Sequence, residues 1–491
     1  LTSSVLLLVS FRRDATHPFF LFPSRYVIPL LLLPFCLATS YAFLQYYPQP
    51  LDGDMAWNLV PASEVHPILD NPLGLEALLK GRHYPNPNRF FSHWIYQAYL
   101  LKAPLALQRF CEPITSVYLA SGLAKLLAHL GLIGLLARAV TGAWRIGRQR
   151  FIIAGCLLAA FFQSGEFRSH IGIVDAATTY VFFYALPSAL MLLFAMPFLD
   201  FLVRKRTNLS IVQSLLWVPL AFVVCLSGPL NPGVILVALL LGGLAWLSGQ
   251  LKLREIPPRL IMLGILAGAL SLYSLYLGQF NSLTIDNGLP LTEVYARLPW
   301  GVVRQFTGKL AFPVLFLMLA VNYSLLRKYA PDDRTRRLFG WVVAFAGIYF
   351  LLLPLGGFRS YRATILRYDT ILPVTLAFIG LYAGSCLRLL KQVPQRGKAW
   401  YVASLMVVAI IYTNADRYDR SAYDCERAAL EAIAIATESP VAHKGKCGVV
   451  PWQTYPTTDW SELTSRLLVE RHITEKPVLY YHPATKSTAG Q

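Results

Sequence analysis

The sequence predicts an all-α polytopic membrane protein, and three observations carry that prediction. Hydrophobic residues make up 55% of the chain and charged residues 14%, against roughly 25% charged in a typical soluble domain. Apolar runs close to the ~20 residues that a helix needs to cross a bilayer recur along most of its length. Basic residues collect in the short loops after every second run, which is how membrane helices are oriented. The net charge of +18 therefore reads as topology, with the lipid bilayer as partner and no nucleic acid.

Eleven spans are predicted, over 26–45, 113–137, 150–164, 176–199, 209–227, 232–250, 259–278, 310–327, 339–355, 370–388 and 399–414. The basic loops hold Arg12, Arg13 and Arg25; Arg138, Arg145, Arg148 and Arg150; and Arg204, Lys205 and Arg206. They continue with Lys252, Arg254 and Arg259; Arg327, Lys328, Arg334, Arg336 and Arg337; and Arg388, Lys391, Arg396 and Lys398. The positive-inside rule places these loops and the N-terminus in the cytoplasm and the C-terminal tail outside. "SSVLLLVSF" is too short to span and lacks a cleavage pattern, so 1–25 reads as a cytoplasmic segment rather than a signal peptide. The bundle then occupies 26–414 and an outer tail 415–491.

The outer side carries most of the remaining sequence. Its first loop, 45–112, contains "HPILDNPLGLEALLKG" and "RFFSHWIYQAYLLKAPLALQRF", both with helical spacing of apolar residues, and is expected to form helices lying along the membrane surface. "GQFNSLTIDNGLPLTEVYARLPWGVVRQFTGK" is read as a further outer loop. In the tail, "CERAALEAIAIATES" reads as a helix and "KPVLYYH" as a short strand. Of the seven Cys only Cys425 and Cys447 fall in the polar tail. A disulfide between them is plausible if the tail faces an oxidising compartment.

Four polar groups on that side could carry chemistry. Asp52 and Asp54 in "LDGDMAWN" could bind a divalent cation through oxygen, or one could act as general base; Pro50, Asp52 and Gly53 equally suit a plain turn. "GEFRSHIGIVD" offers Glu166, Arg168, His170 and Asp175, and otherwise reads as a water-facing loop. "GGFRSYRATILRYDT" puts Arg359, Tyr361, Arg362 and Arg367 on the side that should be poor in positive charge. Guanidinium forks suit phosphate, and Arg and Tyr also serve as interfacial anchors. "KGRHYPNPNRFFSHW" holds Arg82, His83, Asn88, Arg89, His93 and Trp94, a mixture suited to a sugar or lipid headgroup, with Asn88 as a candidate helix cap.

The order of these parts resembles the GT-C superfamily of integral-membrane glycosyltransferases: a single first span, a long outer loop opening on an acidic pair, a second acidic outer loop after the third span, and later basic outer loops. The resemblance implies that Asp52 or Asp54 is catalytic, with Glu166 as the second acidic position and Asp175 in reserve. It implies a polyprenyl-phosphate sugar donor held by Arg359, Arg362 and Arg367, and a glycan, lipid or protein acceptor. A divalent cation, Mg or Mn, at Asp52, Asp54 and Glu166 is left open, and "LDGDMAWN" lacks the acidic neighbours of several subfamilies. No Asn-x-Ser/Thr sequence stands in the outer loops, which leans towards a bacterial inner membrane with a periplasmic site.

Other readings are a lipid-linked saccharide transporter or flippase, a polysaccharide polymerase or ligase, and a scaffold. Lys125 and His129 in the second span and Pro187 in the fourth are the features a transporter would use. Lys125 lies near enough to a span end to snorkel, and no inverted repeat is visible.

Overall fold

A computed structural model describes residues 24–204, 209–285, 288–331, 333–362, 364–450 and 452–483. The opening segment to residue 23, with Arg12 and Arg13, lies outside the described residues, as do Lys205 and Arg206 and the side chains of Arg25, Arg204 and Arg334.

The described chain is almost entirely helical. Nine helices among the described residues are long and apolar enough to cross a membrane: Ile28–Tyr46, Pro113–Thr141, Thr178–Val203, Leu230–Leu247, Pro258–Phe280, Ala311–Tyr329, Arg336–Gly356, Leu372–Gln392 and Gln395–Ala415. Two further predicted spans are helical but shorter, Gln149–Ala159 with 11 residues and Ile211–Cys225 with 15. At 1.5 Å per residue they extend about 16 and 22 Å, less than the ~30 Å of a bilayer core.

The ends of these helices follow from local chemistry. Pro113–Thr141 starts on Glu112, whose carboxylate accepts from the Ile114 and Thr115 amides at 2.8 and 2.9 Å, and Pro113 takes the first position, where no donor is needed. It stops at Gly142, which takes the left-handed φ of 89°. With Leu372–Gln392 it forms the most buried part of the bundle, while Ile211–Cys225, Leu230–Leu247 and Pro258–Leu277 share a separate apolar cluster with Leu186–Arg204. Asn322, fully buried, joins three helices there: its amide donates to the Ser385 hydroxyl at 2.8 Å and its carbonyl accepts from Tyr401 at 2.9 Å. At the far end of Pro113–Thr141, Arg138 forks onto Asp200 with contacts of 3.1 and 2.5 Å.

Several local expectations need correcting. The first loop segment is two short helices, Pro67–Asp70 and Leu75–Lys80, because Pro72 pushes Asn71 out of helical geometry and Gly74 takes a φ of 67°. The second is the helix Phe90–Leu107, but Asn88 does not cap it. Its amide instead donates to the Ser274 carbonyl at 3.0 Å, tying the loop to Pro258–Leu277. The stretch read as one long outer loop contains the helix Leu291–Thr307, with Val294, Leu298, Gly301 and Gln305 on its buried face. Lys125 does not snorkel, since it is fully buried.

The fourth span opens irregularly. After Thr178–Tyr180 the backbone forms a π-helical turn over Val181–Ala185 before the regular helix Leu186–Arg204. Pro187 lacks the amide that would bond to Phe183 in an α-helix, and its ring would crowd that carbonyl; the wider turn relieves both problems.

The tail is folded onto the bundle. Helix Ser421–Ala434 and helix Glu462–Glu470 share one apolar core with Leu51, Met55 and Leu59 of the first loop and Val117 and Tyr118 of the second span. Strand Val441–Ala442 pairs in parallel with Tyr480–Tyr481, and a disulfide joins Cys425 to Cys447.

The Asn322 knot yields a prediction. Asn322→Leu keeps the branched shape but leaves the buried Tyr401 hydroxyl without its acceptor, which costs about 1–3 kcal/mol. Thermal unfolding in detergent should show a lowered midpoint with the helical content unchanged.

Candidate functional site

The segment "LDGD" has no regular structure of its own, and its four residues are held by three distant residues, Glu426, Thr179 and Trp452. The Leu51 amide donates to Glu426 at 2.8 Å. Asp52 accepts from the Thr179 hydroxyl at 2.6 Å and the Thr179 amide at 3.1 Å, and that hydroxyl also exchanges a 3.0 Å hydrogen bond with Tyr96. Gly53 lies against Trp452 so closely that a Cβ would sit 2.5 Å from the indole ring and 2.6 Å from the Trp452 amide nitrogen. Asp54 accepts from the Trp452 indole N–H at 3.1 Å.

These contacts divide the two aspartates. Asp52 is 2% exposed, and both its oxygens are bonded to Thr179. Burial pushes its carboxyl up to about 6, against the Thr179 hydrogen bonds. Asp54 is half-buried, and among the described residues its second oxygen has no hydrogen-bond partner. Burial raises its carboxyl too, while the Trp452 hydrogen bond and the positive charges of Arg359, Arg362 and Arg89 pull it down.

The field at Asp54 is the central observation. Three guanidinium groups from positions up to 273 residues apart (89 to 362) lie near enough for their charges to act on one carboxylate. Arg89 lies over the rings of Phe183 and Tyr184, 5.0 and 5.6 Å from their centres, on the wall made by the π-helical turn. Arg359 donates to the Tyr361 hydroxyl at 2.9 Å, and Arg362 lies 5.6 Å from the Tyr361 ring centre. The Nε groups of both Arg89 and Arg362 are buried without a hydrogen-bond partner. A buried N–H of this kind is costly unless a ligand completes it. The surroundings of Asp54 therefore carry a surplus of positive charge and, among the described residues, two unused donors, the chemistry of an anion site.

Behind this site lies an inner layer of acids. Lys125 is fully buried, its ammonium without a hydrogen bond among the described residues, in the field of Asp52, Asp175 and Glu426. Asp175 lies beside Tyr368 and Asp369, and burial raises its carboxyl. Arg367 is consumed here: its Nε donates to Asp369 at 3.0 Å and its Nη2 closes the fork on the other oxygen. Glu426, 1% exposed, accepts from the Leu51 amide at 2.8 Å, the Tyr118 hydroxyl at 2.7 Å and the Val450 amide at 2.8 Å. Burial pushes it up to about 7, against those three donors.

Other predicted residues lie elsewhere. Glu166 is exposed, bonded through its amide to the Ala415 carbonyl and paired with Lys309 at 3.2 Å; Asp175 is the acid of that loop that reaches the interior. Arg168 is exposed, and His170 takes a 2.9 Å hydrogen bond with Ser169 beside it. Arg82 pairs with Glu76 at 2.6 Å on the surface, and His83 is exposed with its ring 5.5 Å from that of Phe280. Trp94 is exposed and Asn88 is structural. His93 is buried against Phe183, and burial, with the Arg89 charge, holds its ring down to about 3, so it is neutral. Tyr361 is exposed beside Arg359.

The donors for a cation do not assemble. Among the described residues Asp52, Asp54 and Glu166 do not come within 4.8 Å of one another as a ligand set. The group that does, Cys425, His443 and Cys447, has both sulfurs in the disulfide.

Sequence reasoning missed Trp452, Tyr184 and Thr179. The one signal available was Pro187 after "VFFYAL", which marks an irregular turn rich in aromatic rings. No family model matches the chain, and no curated protein is similar enough to count as a relative.

Glu426 gives a pH prediction. An undocked tail titrates this group near its ordinary value of 4.5 and the docked tail near 7. Between these values the docked state holds more protons, so docking is strongest below the lower value and weakens as pH rises to the upper one, by about 3 kcal/mol. Hydrogen exchange of helix Ser421–Ala434, corrected for intrinsic rates, should lose protection over this window. Glu426→Gln should remove most of the slope.

Proposed function

We propose that the protein is an integral-membrane glycosyltransferase of the GT-C type, moving a sugar from a polyprenyl-phosphate donor to an acceptor hydroxyl. The observation that carries this reading is Asp54, held by Trp452 on one oxygen and lying in the positive field of Arg89, Arg359 and Arg362. A single carboxylate with a free oxygen, near a surplus of guanidinium groups, suits a reaction that deprotonates a hydroxyl while a phosphate departs.

In this reaction the acceptor oxygen attacks the anomeric carbon as its proton passes to the unbonded oxygen of Asp54. The bond from the anomeric carbon to the phosphate oxygen breaks from the opposite face, and its electron pair leaves with the lipid phosphate. The sugar is inverted. Arg359 and Arg362 receive the phosphate and stabilise the charge it gains, with Arg89 adding to the same positive field. Arg367, held by Asp369, orients the loop instead of binding the donor. Asp52, with both oxygens engaged, fixes the segment. The residues present do not fit a cation at this site, and no step uses one.

This site lies at the end of the helices that carries the disulfide-bonded tail, while Arg138 marks the opposite end of Pro113–Thr141. A disulfide suits an oxidising compartment, which supports a site on the outer face of the membrane, periplasmic in the bacterial inner membrane proposed here.

The test is transfer by purified protein in lipid nanodiscs, with undecaprenyl- and dolichyl-phosphate sugars as donors and released lipid phosphate as readout. Asp54→Asn should lower kcat by about 10²–10⁴, the usual contribution of a general base. Arg362→Ala should raise the donor KM about tenfold, the loss of roughly one charge-assisted contact. Full turnover in Asp54→Asn would refute the assignment of the base.

A further inference from the structure

The tail reaches the site through one short segment, and its geometry is unusual. Cys447 is tied to helix Ser421–Ala434 by the disulfide with Cys425, across a Cα–Cα distance of 6.1 Å. Val449 and Val450 are buried. Val450 has a φ of 64°, a left-handed conformation that a β-branched residue adopts only when its surroundings impose it. What imposes it is the 2.8 Å bond from its amide to Glu426 on the same helix. Two residues further on, Trp452 lies on Gly53, its ring 6.1 Å from that of Tyr180, and donates its indole N–H to Asp54.

We infer that Trp452 is a positioning residue for the Asp54 carboxylate, and that the Cys425–Cys447 disulfide is the pin that keeps it in place. This rests on the reading of Asp54 as the general base. A carboxylate at the end of an irregular loop can rotate about its side chain. A donor fixed on one oxygen stops that rotation and leaves the other oxygen directed to the acceptor. The same N–H favours the ionised form and opposes the upward push of burial, so it keeps Asp54 able to accept a proton at lower pH. The fixing comes from the tail. The glycine between the two aspartates is the space that lets the tail approach: any side chain at Gly53 would collide with the Trp452 backbone as well as its ring.

The experiment compares the pH profile of kcat/KM in wild type, Trp452→Phe and Cys425→Ser/Cys447→Ser. Phenylalanine keeps an aromatic ring on Gly53 but lacks the N–H. Activity requires ionised Asp54 and falls on the acid side. Without the donor the Asp54 pKa rises, and the acid limb should move up by about one pH unit while the donor KM stays within a factor of two. The double serine variant should show the same shift, and wild type treated with a phosphine reductant should reproduce it. A structural role alone would lower the melting temperature and leave the limb where it is.

Hydrogen exchange across residues 51–58 gives a second readout that needs no substrate: faster exchange in the serine variant supports the pin. Wild type that transfers sugar while Trp452→Phe keeps an unshifted acid limb overturns the inference alone. Wild type that transfers from none of the donors overturns the proposed function, and with it Trp452's part in catalysis. Unchanged exchange in the serine variant overturns the pin in either case.

Discussion

The architecture of the site depends on one buried carboxylate. Glu426 draws three donors from three distant parts of the chain: the Leu51 amide at the head of the long loop, the Tyr118 hydroxyl in the second span and the Val450 amide in the tail. A loop without secondary structure cannot hold a functional side chain by its own propensities, because each unrestrained residue keeps about 1–2 kcal/mol of backbone entropy. The order must be imported. Glu426 brings it from the bundle on one side and the folded tail on the other. Removing it would leave two buried backbone amides without acceptors, a larger loss than that of one hydrogen bond.

A carboxylate so deep must also be balanced electrically, and Lys125 is placed to do this. Its ammonium, fully buried, lies in the field of Asp52, Asp175 and Glu426. Breaking one partner from such a group is expensive because the remaining charges stay buried. The inner layer is therefore closed: Lys125 faces the acids, and Arg367 is locked to Asp369. The outer layer is open in the opposite sense, with the charges of three guanidinium groups acting on Asp54 and, among the described residues, two of their N–H groups unused. The closed layer gives rigidity and the open layer offers chemistry. Arg367 and Arg362, only five positions apart, fall on different sides of that division.

Much of the fold was legible in the sequence because it is local. Each predicted span is helical, since a long apolar run has few other ways to satisfy its backbone, and only length separates the two short ones. The tail helix and strand followed from periodicity in the same way. What was not legible depends on apposition. Glu166 and Asp175 lie nine residues apart in one loop, and nothing local shows that one pairs with Lys309 at the surface while the other turns inward. Asn88 looks like a helix cap because Asn often is one, yet a carbonyl on a helix 186 residues away takes its amide. The helix Leu291–Thr307 was hidden by the turn-forming residues around it. Trp452 could not have been found, because its importance lies in Gly53 and Asp54, some four hundred positions earlier.

Under the proposed function, geometry separates Asp52 from Asp54 where composition cannot. The two share a residue type, a loop and a neighbour, and both are raised by burial. A general base must offer a lone pair to a hydroxyl that arrives from solvent, within hydrogen-bond reach. Asp52 is closed to solvent, and Thr179 occupies both of its oxygens. Asp54 is half-buried and keeps one oxygen unbonded among the described residues. The single glycine between them allows this division of labour. It turns one carboxylate into the protein and the other towards the arginines, at a point where the tail lies too close for any other residue to stand.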